Sequence, residues 1–286
     1  MRIAIQGELG SFSHQAALQM EPQATIVPCA VSAEVFKLVE SQQCAAVIPI
    51  ENSLAGSVVE HFDLLLQSDV GIERESLLRI RHNLIAIPGT RLEDIRQVLS
   101  HPVALAQCRR FFSRHPAMTP TPFYDTAGSV KHIVSQENDG RRDAGAIASE
   151  RAALTYGGEV LASDIEDNPA NYTRFFLIRS SSQVRPLPNP DKVSIAFTVE
   201  NRPGTLVSAL QVFADHNTNL CKVESRPVQG QPWQYVFYLD YQTSDQEAAG
   251  AALEELRRQC LWVKELGHYP AASTLSSRGF CSQLNQ

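Results

Sequence analysis

The sequence has 286 residues, a formal charge of −6, 43% hydrophobic residues and 20% charged ones. That balance excludes disordered and fibrous classes, and the length suits about two domains. The mildly acidic charge, without long basic runs, argues against nucleic acid as a partner, and no apolar run nears the roughly 20 residues that a membrane helix needs.

The amino terminus, Met1-Arg2-Ile3-Ala4-Ile5-Gln6-Gly7, opens as a strand and not as a charged segment followed by a long apolar core, so no secretory signal is expected. The six cysteines, Cys29, Cys44, Cys108, Cys221, Cys260 and Cys281, show no C-x-x-C spacing and no clustering with histidine. Reduced thiols in a cytoplasmic protein are expected in preference to a disulfide or zinc framework.

A strand over residues 2–6 leads through Gly7-Glu8-Leu9-Gly10-Ser11 into a helix beginning near Phe12. Glycines and a serine before a helix amino terminus either bind an anion or simply form a capped turn. The spacing is not G-x-G-x-x-G, and G-x-x-x-x-G-K-[ST] is absent, so a nucleotide cofactor is not expected. A second unit places the strand Ala45-Ala46-Val47-Ile48-Pro49-Ile50 before the polar turn Glu51-Asn52-Ser53 and a helix from Val58 to Leu66. Three polar side chains at one strand end exceed what a cap requires, which points to a site.

A third unit runs from the strand 96–99 through Ser100-His101-Pro102 into one helix reaching Phe112, with His101 read as a cap or packing residue in preference to a base. Thr126-Ala127-Gly128-Ser129 opens the next helix, and Ala148-Ser149-Glu150 joins the strand at 144–147 to a helix from Arg151. Repeated strand–turn–helix units predict a largely parallel sheet with helices on both faces and ligands beyond the carboxyl ends of the strands. The loop 166–171 holds turn formers and Phe175-Phe176-Leu177-Ile178 reads as a buried strand, so Thr173 and Arg174 are expected at their junction.

Three prolines mark a linker over residues 184–191, after which the pattern changes to β-α-β-β-α-β across 192–270, the ferredoxin-like order. The Ser- and Gln-rich tail, 271–286, is expected to be flexible.

Several motifs occur together and in one order: Gly7-Glu8-Leu9-Gly10-Ser11-Phe12-Ser13, Pro49-Ile50-Glu51-Asn52-Ser53-Leu54-Ala55-Gly56-Ser57-Val58, Ser100-His101-Pro102 with Ala104-Leu105-Ala106-Gln107-Cys108, and Asn171-Tyr172-Thr173-Arg174-Phe175. With Arg202-Pro203-Gly204-Thr205-Leu206 and Glu224-Ser225-Arg226-Pro227, they make the chain resemble the prephenate dehydratases that carry a carboxyl-terminal ACT regulatory domain. The resemblance implies an α/β fold: a two-lobed, periplasmic-binding-protein-like catalytic domain over 1–183 with a substrate cleft between its lobes, the linker 184–191, and a ferredoxin-like (βαββαβ) ACT domain over 192–270.

It further implies a carbon–oxygen lyase that converts prephenate to phenylpyruvate in phenylalanine synthesis, with neither metal nor organic cofactor. In the family the threonine at Thr173 is the residue tied to activity, here given the leaving hydroxyl, and Arg174 is expected to bind a carboxylate or to hold the site's shape. Ser11, Asn52, Ser53, Thr126, Ser149, Asn171 and Phe175 are the expected substrate-binding residues. Glu51 is read as structural, because a further negative charge beside a dianion opposes binding. Gly204, Thr205, Leu206, Asn219, Leu220, Glu224, Ser225, Arg226 and Pro227 are expected to bind phenylalanine between paired ACT domains of a homodimer or homotetramer. No membrane partner is expected. No long helical segment precedes Arg2, so a fused chorismate mutase is not expected either.

Glu8 stands where the family's opening motif has proline, Thr205 where the ACT turn has alanine, and Thr126-Ala127-Gly128-Ser129-Val130 departs from T-A-x-A-A toward the arogenate dehydratase branch. Arogenate is therefore the alternative substrate, and a non-catalytic amino-acid sensor is the alternative from another class.

Overall fold

Near-continuous runs of small and β-branched residues leave no polar face on the first strands, so helices must cover both sides of the sheet that they form. In the computed structural model, which describes residues 1–136, 142–228, 230, 233–242 and 244–272, strand β1 (Arg2–Gln6) lies parallel to β2 (Thr25–Cys29) and β3 (Ala45–Asn52). Helices α1 (Phe12–Met20) and α2 (Ser32–Glu40) make the crossovers, and Ile3, Ile5, Val47 and Ile48 are fully buried. After the short β4 (Gly56–Ser57) and α3 (Val59–Gln67), β5 (Val70–Arg79) completes a sheet of order β2-β1-β3-β11-β5, where β11 is Tyr172–Ser180.

The chain passes through residues 80–82 into a second sheet of β6 (Asn83–Ala86), β7 (Gln97–Ser100), β8 (Thr119–Pro122), β9 (Ala144–Ala148) and β10 (Glu159–Ala162), in the order β10-β6-β9-β7-β8. Strand β7 is parallel to β8 and β9, whereas β6 is antiparallel to both β9 and β10. The expected largely parallel sheet is thus a mixed one. β6 is entered directly from the other sheet, with no helical crossover, so the constraint that makes βαβ neighbours parallel does not act on it. Leu84, Val98, Leu105, Phe111 and Ile147 fill the core of this lobe.

Two elements differ from the sequence expectation. The single helix expected after His101 is two, α4 (Pro102–Ala106) and α5 (Arg109–Arg114). The break is set by a distant residue: the carboxylate of Asp167 accepts the backbone N–H groups of Arg109 and Arg110 at 3.0 and 2.8 Å, capping α5, while the Asp167 N–H donates to the Gln107 carbonyl at 2.7 Å. Thr173 and Arg174 stand inside β11 and not at a loop junction, because pairing with β3 and β5 carries the strand back to Tyr172 regardless of local polarity. The remaining helices of this part, α6 (Thr126–Ser135) and α7 (Glu150–Tyr156), follow the expected turns.

The chain divides into two compact units, Met1–Phe62 with Ser76–Leu177, and Asp63–Glu75 with Ile178–Gln286. In the second, β12 (Lys192–Thr198), α8 (Thr205–Asp215), β13 (Asn219–Pro227), β14 (Tyr235–Gln242), α9 (Gln246–Gln259) and β15 (Trp262–Tyr269) form the ferredoxin-like βαββαβ with sheet order β13-β14-β12-β15. Ile195, Phe197, Phe213, Tyr241 and Leu256 pack between sheet and helices. Residues 63–75 are built into this unit by the Glu73–Arg179 and Glu75–Lys192 ion pairs at 2.5 and 3.1 Å, and by the Lys264 ammonium, which donates to the carbonyls of Leu65, Leu66 and Ser68. Gly267 permits close approach: a Cβ there would lie 2.5 Å from the Ile72 carbonyl oxygen. Of the tail 271–286, residues 273–286 lie outside the described residues.

His61 is fully buried under α2, with Nδ1 donating to the Pro49 carbonyl at 2.5 Å and Nε2 accepting from Ser32 Oγ at 3.0 Å. Burial holds its pKa below the ordinary 6.5, outweighing the carbonyl bond and Glu60. Below pH 6.5 the unfolded chain binds the proton that the folded one refuses, so stability is complete above that pH and falls as the pH drops toward the folded value. The urea midpoint is expected to decrease between pH 7 and pH 5, with a shallower decrease in His61→Gln.

Candidate active site

A cleft of about 770 Å³ opens between the lobes of the first unit. Gln6, Ser11, Asn52, Thr173 and Phe175 line it from the first lobe, and Gln107, Tyr124, Asp125 and Thr126 from the second. The amino-terminal turns of α1 and α6 reach it. Ser11 caps α1 by accepting the His14 N–H at 3.3 Å, and Asp125 caps α6 by accepting the Gly128 N–H at 2.6 Å. Burial raises the Asp125 pKa above its ordinary value, with Glu8 adding to the rise and the Gly128 bond opposing it. Neither lysine nor arginine occurs among the described lining residues. Positive potential in the wall therefore comes from helix termini and amide hydrogens.

The polar wall is one directed hydrogen-bond chain. Backbone N–H groups can only donate, so the bonds from Leu54 N and Ala55 N at 3.0 and 2.8 Å identify the Asn52 side-chain oxygen without ambiguity. Asn52 Nδ2 then faces three acceptors: Asn171 Oδ1 at 2.8 Å, Thr173 Oγ1 at 2.9 Å and the Tyr172 carbonyl at 3.2 Å. Asn171 Nδ2 donates in turn to Gln107 Oε1 at 3.0 Å, an oxygen that also lies 2.9 Å from His82 Nε2. Two consequences follow. The Thr173 oxygen is already an acceptor, which leaves its own hydrogen free to give, and the Gln107 oxygen is turned inward, which leaves its amine on the cleft side.

The expected site residues divide into two groups. Ser11, Asn52, Thr126, Thr173 and Phe175 line the cleft. Four others lie behind it. Asn171 is fully buried behind Asn52. Ser53 clasps the incoming strand, donating to the Ala170 carbonyl at 3.1 Å and accepting from Tyr172 N at 3.0 Å. Ser149 caps α7 and donates to the Gly10 carbonyl at 2.6 Å. Arg174 does not reach the cleft, because alternate residues of a strand face opposite ways. Thr173 and Phe175 take the cleft side, while the Arg174 guanidinium sits 4.6 Å from the centre of the Phe176 ring on the other. His101 accepts the Val103 N–H at 3.3 Å as the cap of α4 and also lines the cleft.

Gln107 and His82 were not singled out by sequence reasoning. Gln107 was legible only as part of a motif, and the feature that frees its side chain, the break after α4, is made by Asp167 far along the chain. The lobes are joined beside the cleft by Glu8, which accepts from Lys131 Nζ at 2.9 Å and from the Tyr124 and Tyr156 hydroxyls at 3.3 and 3.4 Å. Burial raises the pKa of both tyrosines, and Glu8 raises it further. Gly10 fits against α7 with φ of +84°, and a Cβ on it would come 2.7 Å from Ala152 Cα. No group of histidine, cysteine, aspartate and glutamate among the described residues is arranged to hold a metal ion.

In the second unit Gly204, at φ +88°, starts α8 in a conformation that suits glycine, and the Thr205 hydroxyl sits 2.6 Å from the Glu200 carbonyl and 2.9 Å from that of Arg202. Leu206 and Leu220 pack against the core. Along the edge strand β13, Leu220, Glu224 and Arg226 are half-buried and Asn219, Ser225 and Pro227 exposed, and a register shift between Leu220 and Lys222 puts Leu220, opposite Tyr241, on the other face from Glu224, opposite Tyr238, so the expected effector residues lie on two faces. Glu224 pairs with Lys222 at 2.9 Å and Arg226 with Asp63 at 3.3 Å.

These features define the class: a two-lobed α/β protein carrying a ferredoxin-like module. The prephenate dehydratase family model matches residues 3–183. The chain is 39% identical to arogenate dehydratase 2 of Petunia hybrida, over 96% of its own length and 73% of that protein's. A prephenate dehydratase from Arthrobacter aurescens, solved in complex with L-Phe, matches at a TM-score of 0.86 with 31% identity, covering 95% of this chain and 90% of that one. The structure of GqqA, described as a novel type of quorum-quenching acylase, also matches at a TM-score of 0.86, with 33% identity over 96% of this chain and 99% of that one. The chain belongs to the prephenate dehydratase family. No helix among the described residues is long and apolar enough to cross a membrane.

Asn52→Asp retains the acceptor for the Leu54 and Ala55 amides and deletes the donor to Asn171 and Thr173. It is expected to lower the unfolding free energy by about 1–3 kcal/mol, the usual result of leaving buried acceptors unmatched, as read from urea titration.

Proposed function

We propose that the chain converts prephenate to phenylpyruvate, as a carbon–oxygen lyase acting in the cytoplasm. The observation that carries this reading is the Thr173 hydroxyl, held as an acceptor by Asn52 and so oriented as a donor in a cleft wall with neither lysine nor arginine among its described residues. In this reaction the electron pair of the ring carbon–carboxylate bond moves into the ring as carbon dioxide departs. The opposite carbon–oxygen bond breaks, and the hydroxyl leaves as water after taking up one proton. Thr173 donates a hydrogen bond to that oxygen and orients it, and the proton itself comes from water in the cleft, since a threonine hydroxyl is too weak an acid to supply it and the Asn52 amide has none to pass on.

A wall whose described residues include neither lysine nor arginine suits this chemistry. A lysine or arginine paired with the departing carboxylate would stabilise the ground state more than the nearly neutral carbon dioxide that forms from it. The α1 and α6 termini and the Gln107 amine bind the anion less tightly and still fix its position. Ser11, Asn52, Thr126 and Phe175 shape the cleft around the substrate. Asn171, Ser53 and Ser149 act through backbone and side-chain contacts behind it, and Arg174 braces the far side of β11.

Arogenate is the second reading. It is supported by the 39% identity to a plant arogenate dehydratase and by the half-buried carboxyl of Asp125 in the wall, which suits an ammonium group. The acylase activity named for GqqA draws less support, because acyl transfer to a hydroxyl nucleophile calls for a base beside it and the Thr173 hydroxyl is met by an amide donor that takes no proton. Turnover of prephenate and arogenate side by side decides between the first two. Thr173→Ala is expected to lose about 10²- to 10⁴-fold in kcat and Thr173→Ser to keep most of it. Near-normal kcat in the alanine variant would remove Thr173 from the mechanism.

The domain assignment that accompanies this reading is a catalytic domain over 1–183, a linker over 184–191, an ACT regulatory domain over 192–270 and a tail over 271–286. L-phenylalanine binds where Gly204, Thr205 and Leu206 meet Asn219, Leu220, Glu224, Ser225, Arg226 and Pro227 of a paired ACT domain, in a homodimer or homotetramer. The L-Phe complex of the Arthrobacter relative supports this. L-phenylalanine is expected to inhibit turnover of the whole chain, with Arg226→Ala raising the concentration needed. Activity unchanged by phenylalanine would count against the regulatory site.

A further inference from the structure

The side chain of Gln107 can be turned either way. Rotation by half a turn about its last bond exchanges the amine for the oxygen on the cleft side and alters its shape hardly at all. The orientation is therefore decided by its neighbours. Asn171 Nδ2 and His82 Nε2 both meet the Gln107 oxygen, at 3.0 and 2.9 Å. The direction of the amide chain, set by the Leu54 and Ala55 N–H groups, makes that oxygen an acceptor. His82 must therefore carry its ring hydrogen on Nε2, and Nδ1 is bare.

His82 is 2% exposed, lines the cleft, and stands edge-on to Phe12 with ring centres 5.6 Å apart. Its Nδ1 is buried and has no hydrogen-bond partner among the described residues. Burial lowers its pKa, partly offset by the Gln107 bond and by Glu166, whose carboxylate accepts the His82 backbone N–H at 2.9 Å and lies 3.9 Å from Arg79. A buried unpaired nitrogen is destabilising, so packing alone would favour an apolar side chain at this position. The polar ring is retained for what its other nitrogen does.

We infer that His82 is a positioning residue: its Nε2–H locks the Gln107 carboxamide with the oxygen inward, so that both amide hydrogens face the substrate anion. Because the described wall residues include no lysine or arginine, the flipped amide would replace attraction by repulsion at a main polar contact. The inference rests on reading Gln107 as a donor to the substrate.

His82→Gln and His82→Leu separate this role from packing. Glutamine places an amine near the position of Nε2, whereas leucine fills the space beside Phe12 without a donor. The glutamine variant is expected to keep kcat/KM for the better substrate within about tenfold and the leucine variant to lose about 10²-fold, chiefly through KM, the usual effect of a misdirected buried hydrogen bond. In a Gln107→Ala background, His82→Leu is expected to add little to that loss. A purely structural role gives the reverse order, with leucine at least as active as glutamine, and thermal melting of each variant shows whether it is folded. The ring itself is read independently of activity. In the 15N spectrum of histidine-labelled protein, His82 is expected as the Nε2–H tautomer, and the Nδ1–H tautomer would overturn the inference. Wild-type protein that turns over neither substrate would defeat the proposed reaction and leave the tautomer measurement to judge His82.

Discussion

The carboxamide of Asn52 is the contact on which the site depends. Its oxygen is pinned by two backbone N–H groups of the following turn, and everything beyond inherits a direction from that pinning. Asn171, Gln107, Thr173 and His82 are each able to donate and accept, so without a one-way partner the chain could run either way with similar energy. Backbone amides supply the one-way partner. Buried polar chains of this kind stiffen a site when every member is satisfied, and His82 Nδ1, buried and without a partner among the described residues, lies at the far end.

The cleft handles charge through dipoles. Helices α1 and α6 present amino termini, and the acids nearby, Glu8 and Asp125, are occupied with ties to Lys131 and to the first turn of α6. A wall of partial charges binds a dianion less strongly than a guanidinium pair would. In exchange it does not resist the loss of a carboxylate, and it offers hydrogens at fixed positions where a flexible cation would offer a cloud of them.

The strand–turn–helix units were legible because each couples an apolar run to a turn of small and hydroxyl residues, and both signals are local. The ferredoxin-like module was legible for the same reason, with alternation in β12 and helical spacing in α8. Less visible was β2, an edge strand carrying Pro28, whose exposed residues leave little apolar pattern. The opposite direction of β6 has no local signature, since it follows from how the chain enters the second lobe. In the site, Thr173 and Asn52 could be found from their motifs, but the side of β11 that each residue faces could not. Counting two residues per repeat from Thr173 places Arg174 away from the cleft once Tyr172 is known to start the strand, and that start is fixed by pairing with β3 and β5. Gln107 was hidden for a related reason. The sequence from Pro102 to Phe112 reads as one helix, and its interruption is imposed by a residue about sixty positions away.

Asp167 also bears on which parts of this surface can change in length. Exposed loops ordinarily accept insertions and deletions at little cost. The loop carrying Asp167 is bound at both ends of one residue: its carboxylate holds the first amides of α5, and its own N–H holds the Gln107 carbonyl. A residue gained or lost on either side of Asp167 would shift the cap relative to β11 and carry the Gln107 amide with it. This outer loop is thereby calibrated in length, like a spacer cut to size, and chain-length variation in this lobe belongs elsewhere on its surface.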